Sequence, residues 1–392
     1  MVERTPVRSR IVLFVPGFEP LPTVAQRDRF ARTLARTAGL WSLEAAVGPL
    51  APGGADTMPS FAASARGADW RCAAEIRLLA WDDLIAGELA RGWPALVRRG
   101  GAAVAAVLLD GTVARYAAAH WRYALFALAA LLPFLGIAAA LLFAGFGVGA
   151  GAPWSLLPAT LSLLLAALAA WRLSFPVLLA DWALARDLAG GCDPAQQARI
   201  ACFARAILAT RGEAVDEVLL AGHSLGSVFA VQALAQALRH DPGLLRRMPR
   251  LVLVGLGSSV LKVALMRGAT ALRADLALLA RSEGFDWIEF ASRRDVLSFE
   301  RTGPLGPLGI TGRGPVLESV HPRDMLDDAT WRRTRWRFLR IHRQYVMGNG
   351  RRYFWDFGLA VCGPLPVGVV WPDRGLGPSG ALGAAAIAKA AA

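Results

Sequence analysis

The stretch of sequence that decides the fold is Val218-Leu219-Leu220-Ala221, followed at once by Gly222-His223-Ser224-Leu225-Gly226. The apolar residues before the first glycine are typical of a buried β-strand, which we place at 217–220. From Gly226 to Leu238 the apolar residues recur at helical spacing. The pattern therefore predicts a strand, a sharp turn at Ser224 and a helix that begins without a gap.

Gly222 to Gly226 match the pattern G-x-S-x-G, in which a serine occupies a strained strand-to-helix turn and its hydroxyl stands clear of the sheet. Side chains at Gly222 and Gly226 would collide with the neighbouring strand and helix. The amide of Leu225 lies at the start of the helix, where it can bind an oxyanion. The pattern predicts Ser224 as a nucleophile; the alternative is a tight turn in a non-catalytic α/β domain.

Strand and helix patterns alternate on both sides of this turn. This alternation predicts an α/β fold with a mostly parallel sheet flanked by helices. The predicted strands are 11–15, 75–81, 217–220, 250–254 and 286–290, and the predicted helices are 26–39, 194–210 and 226–238.

The sequence resembles the α/β-hydrolase family, especially its lipases and esterases, in which Gly-His-Ser-Leu-Gly is a frequent form of this turn. The resemblance covers residues 8–82 and 195–358. It implies the chain order serine, acid, histidine, and a second oxyanion amide from the loop after the first strand. That loop is here Val15-Pro16-Gly17-Phe18-Glu19, so the Phe18 amide is the candidate. An ordinary turn at the end of a strand explains the same residues.

The resemblance places the acid at the carboxyl end of a late strand, and Asp295 lies just beyond the strand 286–290. Asp286 and Glu289 lie within that strand, so their side chains are expected to point sideways. We therefore expect Asp295 to be the acid. The alternative is that Asp295 is a surface partner of Arg293 or Arg294.

A serine nucleophile needs a base that titrates near neutrality, which is a histidine. Of the five histidines, His120 borders an apolar segment, His223 lies in the turn and His240 precedes the acid in the chain. His321 and His342 remain. We favour His342, which precedes a predicted last helix, over His321, which is followed by proline.

The segment from Tyr123 to Trp171 contains no Asp, Glu, Lys or Arg. A Gly-rich break at 145–154 divides it into 123–144 and 154–171. At ~1.5 Å per residue, 123–144 is long enough to cross ~30 Å of hydrocarbon. The second half, 154–171, is just long enough, and it can extend past Arg172 towards Leu179 if that arginine snorkels. The segment predicts a transmembrane hairpin; the alternative, two buried helices of a soluble core, is disfavoured because neither half has a polar face.

Arginines flank this hairpin on both sides, whereas its connecting turn is uncharged. The positive-inside rule then places both ends in the cytoplasm, so the hairpin is an insertion into a cytoplasmic domain of a protein of the inner membrane. The expected organisation is two parts of one α/β-hydrolase domain, 1–115 and 183–360, a hairpin at 116–182 and a Pro/Gly/Ala-rich tail at 361–392.

The composition fits a membrane protein: hydrophobic residues make up 55% of the chain and the net charge is +13. A basic excess suits nucleic acid or an anionic membrane surface. The arginines are scattered, apart from a run at 332–343, and no zinc-finger or RNA-binding pattern accompanies them. We therefore expect the lipid bilayer as the partner and no nucleic acid.

The four cysteines, Cys72, Cys192, Cys202 and Cys362, form no C-x-x-C pair. This spacing favours neither a metal site nor a disulfide framework, so we expect no metal and no cofactor, and a reducing compartment. Residues 1–10 are polar, and no signal peptide is expected.

Together these patterns predict a membrane-anchored serine hydrolase with Ser224, Asp295 and His342 as the catalytic residues and the Leu225 and Phe18 amides as the oxyanion hole. The location in a membrane suggests a hydrophobic acyl ester as the substrate. Two alternatives are an acyltransferase with the same triad and a non-catalytic membrane scaffold on a hydrolase fold.

Overall fold

The computed structural model describes residues 6–54, 57–191, 193–368, 376–377 and 379–382. Within these residues one eight-stranded sheet forms the centre of the molecule. Its strands are β1 (Ser9–Val15), β2 (Glu44–Val47), β3 (Ser60–Arg66), β4 (Arg71–Leu78), β5 (Glu217–His223), β6 (Arg250–Leu256), β7 (Phe285–Ala291) and β8 (Val316–Ser319).

The strands lie in the order β2-β3-β4-β1-β5-β6-β7-β8. From β4 to β8 every neighbouring pair is parallel, whereas β3 is antiparallel to both β2 and β4. The mostly parallel α/β sheet predicted from sequence is confirmed. Because parallel strands end at the same edge, the residues that follow β1, β5, β6 and β7 meet at one edge.

Helices cover the sheet and connect its strands. They are α1 (Thr23–Trp41), α2 (Asp82–Leu89), α3 (Trp93–Leu109), α4 (Thr112–Ala129), α5 (Leu132–Ala150), α6 (Leu156–Arg172), α7 (Phe175–Ala189), α8 (Pro194–Leu208), α9 (Gly226–His240), α10 (Leu244–Arg247), α11 (Val260–Ala264), α12 (Thr270–Arg281), α13 (Pro322–Met325), α14 (Asp328–Thr334), α15 (Phe338–His342) and α16 (Phe357–Cys362). Short 3₁₀ turns occur at Pro153–Ser155, Gly306–Leu308 and Arg343–Val346.

The sheet has a hydrophobic core on each face, because successive residues of a strand point to opposite sides. In β1, Ile11 and Leu13 join the core beneath α3, α4 and α7–α9. Val12 and Phe14 join the opposite core, beneath α1 and α16. The strand residues are therefore apolar on both faces, as is typical of a parallel sheet between helices.

A buried ion pair joins the start of the two central strands. Arg10 of β1 lies opposite Glu217 of β5, with Nε 2.7 Å from the carboxylate and both side chains inaccessible. Arg10 also donates to the carbonyl oxygens of Val361 and Gly363, at 2.8 and 3.2 Å. Residues 361–367, assigned to the tail from sequence, are consequently packed into the domain; most residues beyond them lie outside the described ranges.

Helices α5 and α6 form an apolar hairpin that leaves the domain. In the described residues these two helical segments, Leu132–Ala150 and Pro153–Arg172, are long and apolar enough to cross a membrane. Most of the exposed large apolar side chains lie between Leu132 and Trp171, and Val148 is 87% exposed. A surface of this kind needs an apolar environment.

The hairpin has different limits from those predicted. Tyr123, expected in the first span, is instead buried in α4, where its ring stacks on Phe299 at 4.2 Å. The Gly-rich break is also mostly helical, since α5 continues to Ala150 and the chain turns at Gly151 with a φ of 59°. Absence of charge alone could not distinguish the partly buried end of α4, 123–129, from the exposed helix α5.

Candidate active site

Ser224 occupies the sharp turn between β5 and α9. Its φ is 53°, a left-handed value that costs free energy for any residue other than glycine. The turn is held by hydrogen bonds from the Ser224 amide to the Leu256 carbonyl, 2.9 Å, and from the Ser259 amide to the Ser224 carbonyl, 3.2 Å. Ser224 is the one partly exposed residue between Glu217 and Ala235. The turn therefore presents this serine at the carboxyl edge of the sheet.

Glycines around the turn allow the backbones to approach closely. A Cβ on Gly226 would lie 2.5 Å from the Val15 carbonyl oxygen, so the start of α9 packs against the end of β1. A Cβ on Gly17 would lie 3.0 Å from the Ser224 Cβ. The loop after β1 therefore lies directly beside the serine, which a larger residue at either position would prevent.

Asp295 and His342 form a buried hydrogen-bonded pair. Asp295, four residues after β7, accepts a hydrogen bond from His342 Nδ1 at 2.8 Å, and the two residues are 2% and 5% exposed. Because Nδ1 carries the proton, Nε2 is the basic nitrogen of the ring. Nε2 is buried and has no hydrogen-bond partner in the described part of the chain. The imidazole is therefore oriented and free to accept a proton.

The other acidic and basic candidates lie elsewhere. His321 is exposed and its Nδ1 lies 3.3 Å from the Tyr353 hydroxyl. Asp286 forms an ion pair with Arg250 at 2.6 Å. Glu289 is buried within β7 and accepts from the Trp287 indole at 3.2 Å. The structure therefore pairs His342, and not His321, with Asp295.

Two supporting residues were not identified from sequence. The Tyr345 hydroxyl donates to Asp295 Oδ2 at 3.0 Å, and burial, followed by the Asp295 charge, raises the tyrosine pKa well above its usual range, so it stays a donor. His223 Nε2 donates to the His342 carbonyl at 3.0 Å. Burial, together with the nearby His342, lowers the pKa of His223 to about 3, so this ring is neutral. Tyr345 therefore fixes Asp295, and His223 fixes the backbone of His342.

Hints for both residues existed in the sequence. Tyr345 follows His342 by three residues, a spacing that places two side chains on one side of a helical turn. His223 is the variable position of the G-x-S-x-G pattern. Neither spacing indicates a partner by itself, because both hydrogen bonds join segments that are far apart in the chain.

The loop after β1 carries a free amide next to the serine. Phe18 lines the cavity that contains Ser224. Within the described residues, no acceptor is bonded to the backbone amides of Phe18 and Leu225. The loop itself is fixed, because the Trp81 indole donates to the Pro16 carbonyl at 2.7 Å. Two unpaired amides beside a nucleophile are suited to an oxyanion.

Glu19 links this loop to the segment that carries His342. Its carboxylate is buried and pairs with Arg29 and Arg343, each at 2.5 Å. Burial alone would raise the pKa of Glu19, but the two guanidinium groups outweigh it and lower that pKa. Glu19 is therefore ionised and joins the loop of Phe18 to the residue that follows His342.

Ser224 and His342 both line one cavity. An ion pair between the buried Lys262 and the partly buried Asp181 lies at one side, and the Lys262 ammonium is 4.5 Å from the centre of the Trp182 ring. The remaining wall is mostly apolar and comes largely from α4, α7 and α15. Its apolar members include Phe18, Phe126, Val177, Leu178, Leu297 and Phe338.

The described cysteines, Cys72, Cys202 and Cys362, are free thiols, and Cys192 lies outside the described residues. In the described ranges, no group of three or more His, Cys, Asp or Glu side chains could hold a metal ion.

No protein-family model, curated protein or solved structure matches this chain. The α/β-hydrolase resemblance therefore depends on the residues of the turn and on the geometry around it.

Proposed function

We propose that this protein is a membrane-anchored serine hydrolase of the α/β-hydrolase type, which cleaves carboxylic esters that carry a hydrophobic acyl group. One observation carries the proposal: His342 of the buried Asp295–His342 pair, whose Nε2 has no hydrogen-bond partner among the described residues, lines the cavity that also contains the partly exposed Ser224. Nucleophile, base and orienting acid are the three parts of a serine hydrolase triad.

The order of the strands supports the hydrolase-type fold. Phe18 follows β1, Ser224 follows the adjacent β5, and Asp295 follows β7 two strands further along the sheet. All three lie at the carboxyl edge, where ligands bind in open α/β sheets. The chain order serine, acid, histidine is the order of α/β-hydrolases.

Each step of the proposed reaction is assigned to a residue of the site. Ser224 Oγ attacks the acyl carbon while His342 Nε2 takes its proton, and the Leu225 and Phe18 amides bind the oxyanion. The C–O bond of the ester then breaks, and the alcohol leaves with the proton from His342. Water, deprotonated by the same nitrogen, attacks the acyl-enzyme, and the carboxylic acid leaves as Ser224 recovers its proton. Asp295 stabilises the imidazolium.

The hairpin supports a substrate that comes from the bilayer. Helices α4 and α7, which line the cavity, continue into α5 and α6 across only a few residues. An acyl chain could therefore pass from hydrocarbon to Ser224 along apolar side chains. The flanking arginines favour an inner-membrane protein whose catalytic domain faces the cytoplasm.

The location is tested with single cysteines. A Cβ on Gly149 has no neighbour within 4 Å, so Gly149→Cys should fold. In membrane vesicles, an impermeant maleimide should label Gly149→Cys and a Ser282→Cys control from opposite sides, above the signal of the native cysteines. Labelling of both from one side, or extraction of the protein by alkaline carbonate, would contradict a spanning hairpin.

The activity is tested with a fluorophosphonate probe and with 4-nitrophenyl esters of increasing chain length. We expect labelling and hydrolysis by the wild type, with loss of both in Ser224→Ala and retention in the distant Ser282→Ala. Added alcohol that diverts most product into a new ester would indicate an acyltransferase. If the folded wild-type protein is not labelled, the alternative of a non-catalytic membrane scaffold on a hydrolase fold is favoured.

A further inference from the structure

A second, wider groove adjoins the catalytic cavity and has a basic lining. Asp and Glu are absent from its described lining. Apolar side chains such as Leu125 share this lining with charged ones. The charged and aromatic members are Arg122, Arg293, Arg294, Arg335 and Trp336.

The charge of this groove is not compensated within the protein. Among the described residues, none of its four arginines forms an ion pair, whereas Arg99 and Arg250 pair with nearby carboxylates. Arg122 instead donates to the Arg293 carbonyl at 3.0 Å, and Arg335 lies over the exposed Trp336 ring. Several guanidinium groups without a counter-charge attract an anion and suit phosphate in particular.

The groove and the catalytic cavity share a thin wall. Ile341 lines the groove, while the next residue, His342, lines the cavity. Phe126 and Phe338 line both, with their ring centres 5.9 Å apart. A molecule of lipid size can therefore contact the arginines with one part and approach Ser224 with another.

The groove also lies close to the membrane end of the domain. Arg122 precedes Leu132, the start of α5, by about 15 Å if the intervening residues rise ~1.5 Å each. A long arginine side chain can cover much of that distance towards the lipid head groups. Trp121 and Trp336 are 61% and 76% exposed, and exposed tryptophans are enriched at this interface.

We infer that the arginine groove binds the anionic head group of a glycerophospholipid while the acyl ester of the same molecule lies at Ser224. This inference rests on the proposed hydrolase activity and names its substrate class. A free phosphate ester would leave the apolar cavity empty. A nucleic acid would leave the adjoining apolar walls without a contact.

The test compares two short-chain lipids in neutral detergent: dihexanoylphosphatidylglycerol, which is anionic, and dihexanoylphosphatidylcholine, which is zwitterionic. The groove variant is Arg293→Gln/Arg294→Gln/Arg335→Gln. The matched control, Arg205→Gln/Arg246→Gln/Arg281→Gln, removes three exposed arginines that also have no ion pair within the described residues.

We expect the wild type and the control to hydrolyse the anionic lipid with a kcat/KM about tenfold or more above that of the zwitterionic lipid. The groove variant should lose this preference and keep its fluorophosphonate labelling and its hydrolysis of 4-nitrophenyl butyrate. Equal kcat/KM values of the wild type for both lipids, or an unchanged preference in the groove variant, would overturn the inference while the hydrolase activity stands.

Lipid binding is measured separately in Ser224→Ala, because this variant is not expected to hydrolyse the bound lipid. Quenching of tryptophan fluorescence should report tighter binding of the anionic lipid, and adding the three groove substitutions should abolish the difference. If the wild type is not labelled by fluorophosphonate, the proposed hydrolase function is wrong. This binding assay still measures whether the groove prefers the anionic lipid. Equally strong competition by glycerol 3-phosphate, or by a short RNA, would refute a lipid as the occupant.

Discussion

His342 and Asp295 are separated by 47 residues in the chain, yet their side chains form a buried hydrogen bond of 2.8 Å. The pair brings the loop after β7 against the segment that ends α15. Hydrogen bonds from Tyr345 to Asp295 and from His223 to the His342 backbone surround it. Four side chains from three parts of the chain therefore fix the imidazole of His342, which lines the cavity of Ser224.

Replacing His342 should remove the activity, whereas replacing His321 should not. His342→Ala deletes the base, so ester hydrolysis and fluorophosphonate labelling should fall about a thousandfold or more. His321→Ala, at an exposed site, should stay within twofold of the wild type. Loss of labelling in the His321 variant with retention in the His342 variant would reverse the assignment of the base.

Removing the Tyr345 hydroxyl should weaken catalysis without unfolding the protein. Tyr345→Phe deletes one hydrogen bond to a charged carboxylate, worth about 1.5 kcal/mol or more, so kcat/KM for a 4-nitrophenyl ester should fall about tenfold. Tyr353→Phe removes a hydroxyl that contacts His321 and is the matched control. An unchanged kcat/KM in Tyr345→Phe would mean that this hydroxyl does not position the acid.

The ion pair between Arg10 and Glu217 should be essential for stability. Arg10→Leu leaves the buried Glu217 carboxylate with only the Val367 amide at 3.1 Å and a long contact to Arg250 at 3.8 Å, and breaking a buried pair in this way costs about 3–5 kcal/mol. The nearby Arg8→Leu, at an exposed position, should change the free energy of unfolding by less than about 0.5 kcal/mol. Urea denaturation in detergent measures both variants. Equal midpoints would show that the pair adds no net stability.

Glu289 should make the folded protein less stable as pH rises. Burial raises the pKa of this carboxyl from 4.5 to about 7, despite the hydrogen bond from Trp287. Below pH 4.5 folded and unfolded chains both hold the proton; between 4.5 and about 7 only the folded chain keeps it, so stability falls through this window. Glu289→Gln stays neutral and should therefore be more stable than the wild type at pH 8, by about 1–3 kcal/mol.

The same comparison at pH 4.5 provides the control, because the wild-type carboxyl is then protonated in the folded state and still half protonated in the unfolded state, so the expected difference falls below about 0.5 kcal/mol. Thermal unfolding at pH 4.5 and pH 8 measures the difference. A variant that is no more stable than the wild type at pH 8 would show that Glu289 is charged, or well solvated, in the folded protein.

The sequence predicted the central strands because their residues are apolar on both faces. β1, β5 and β6 are runs of Val, Leu and Ile, and the turn at Ser224 lies between a strand and a helix as expected. The edge strands β2 and β8, and β3 next to β2, escaped prediction. β2 and β3 consist largely of Ala, Ser and Glu, β2 is mostly exposed and β3 is half-buried, so their pattern is weak.

The site was predictable where local sequence determines it and not where distant segments meet. Ser224 was evident because the turn needs a particular set of neighbouring residues. The choice between His342 and His321 could not be made from spacing, since both follow Asp295 in the chain. The roles of Glu19, His223 and Tyr345 depend on contacts between the loop after β1, the turn and α15, which no local pattern records.

The central claim is that the hydroxyl of Ser224 is an activated nucleophile. The most direct measurement is the mass of the peptide that contains Ser224 after reaction of the folded protein with a fluorophosphonate and digestion. We predict a single phosphonyl adduct on Ser224, formed in the wild type and absent from His342→Ala. An adduct on another residue, or an unmodified Ser224 peptide from folded protein, would contradict the account.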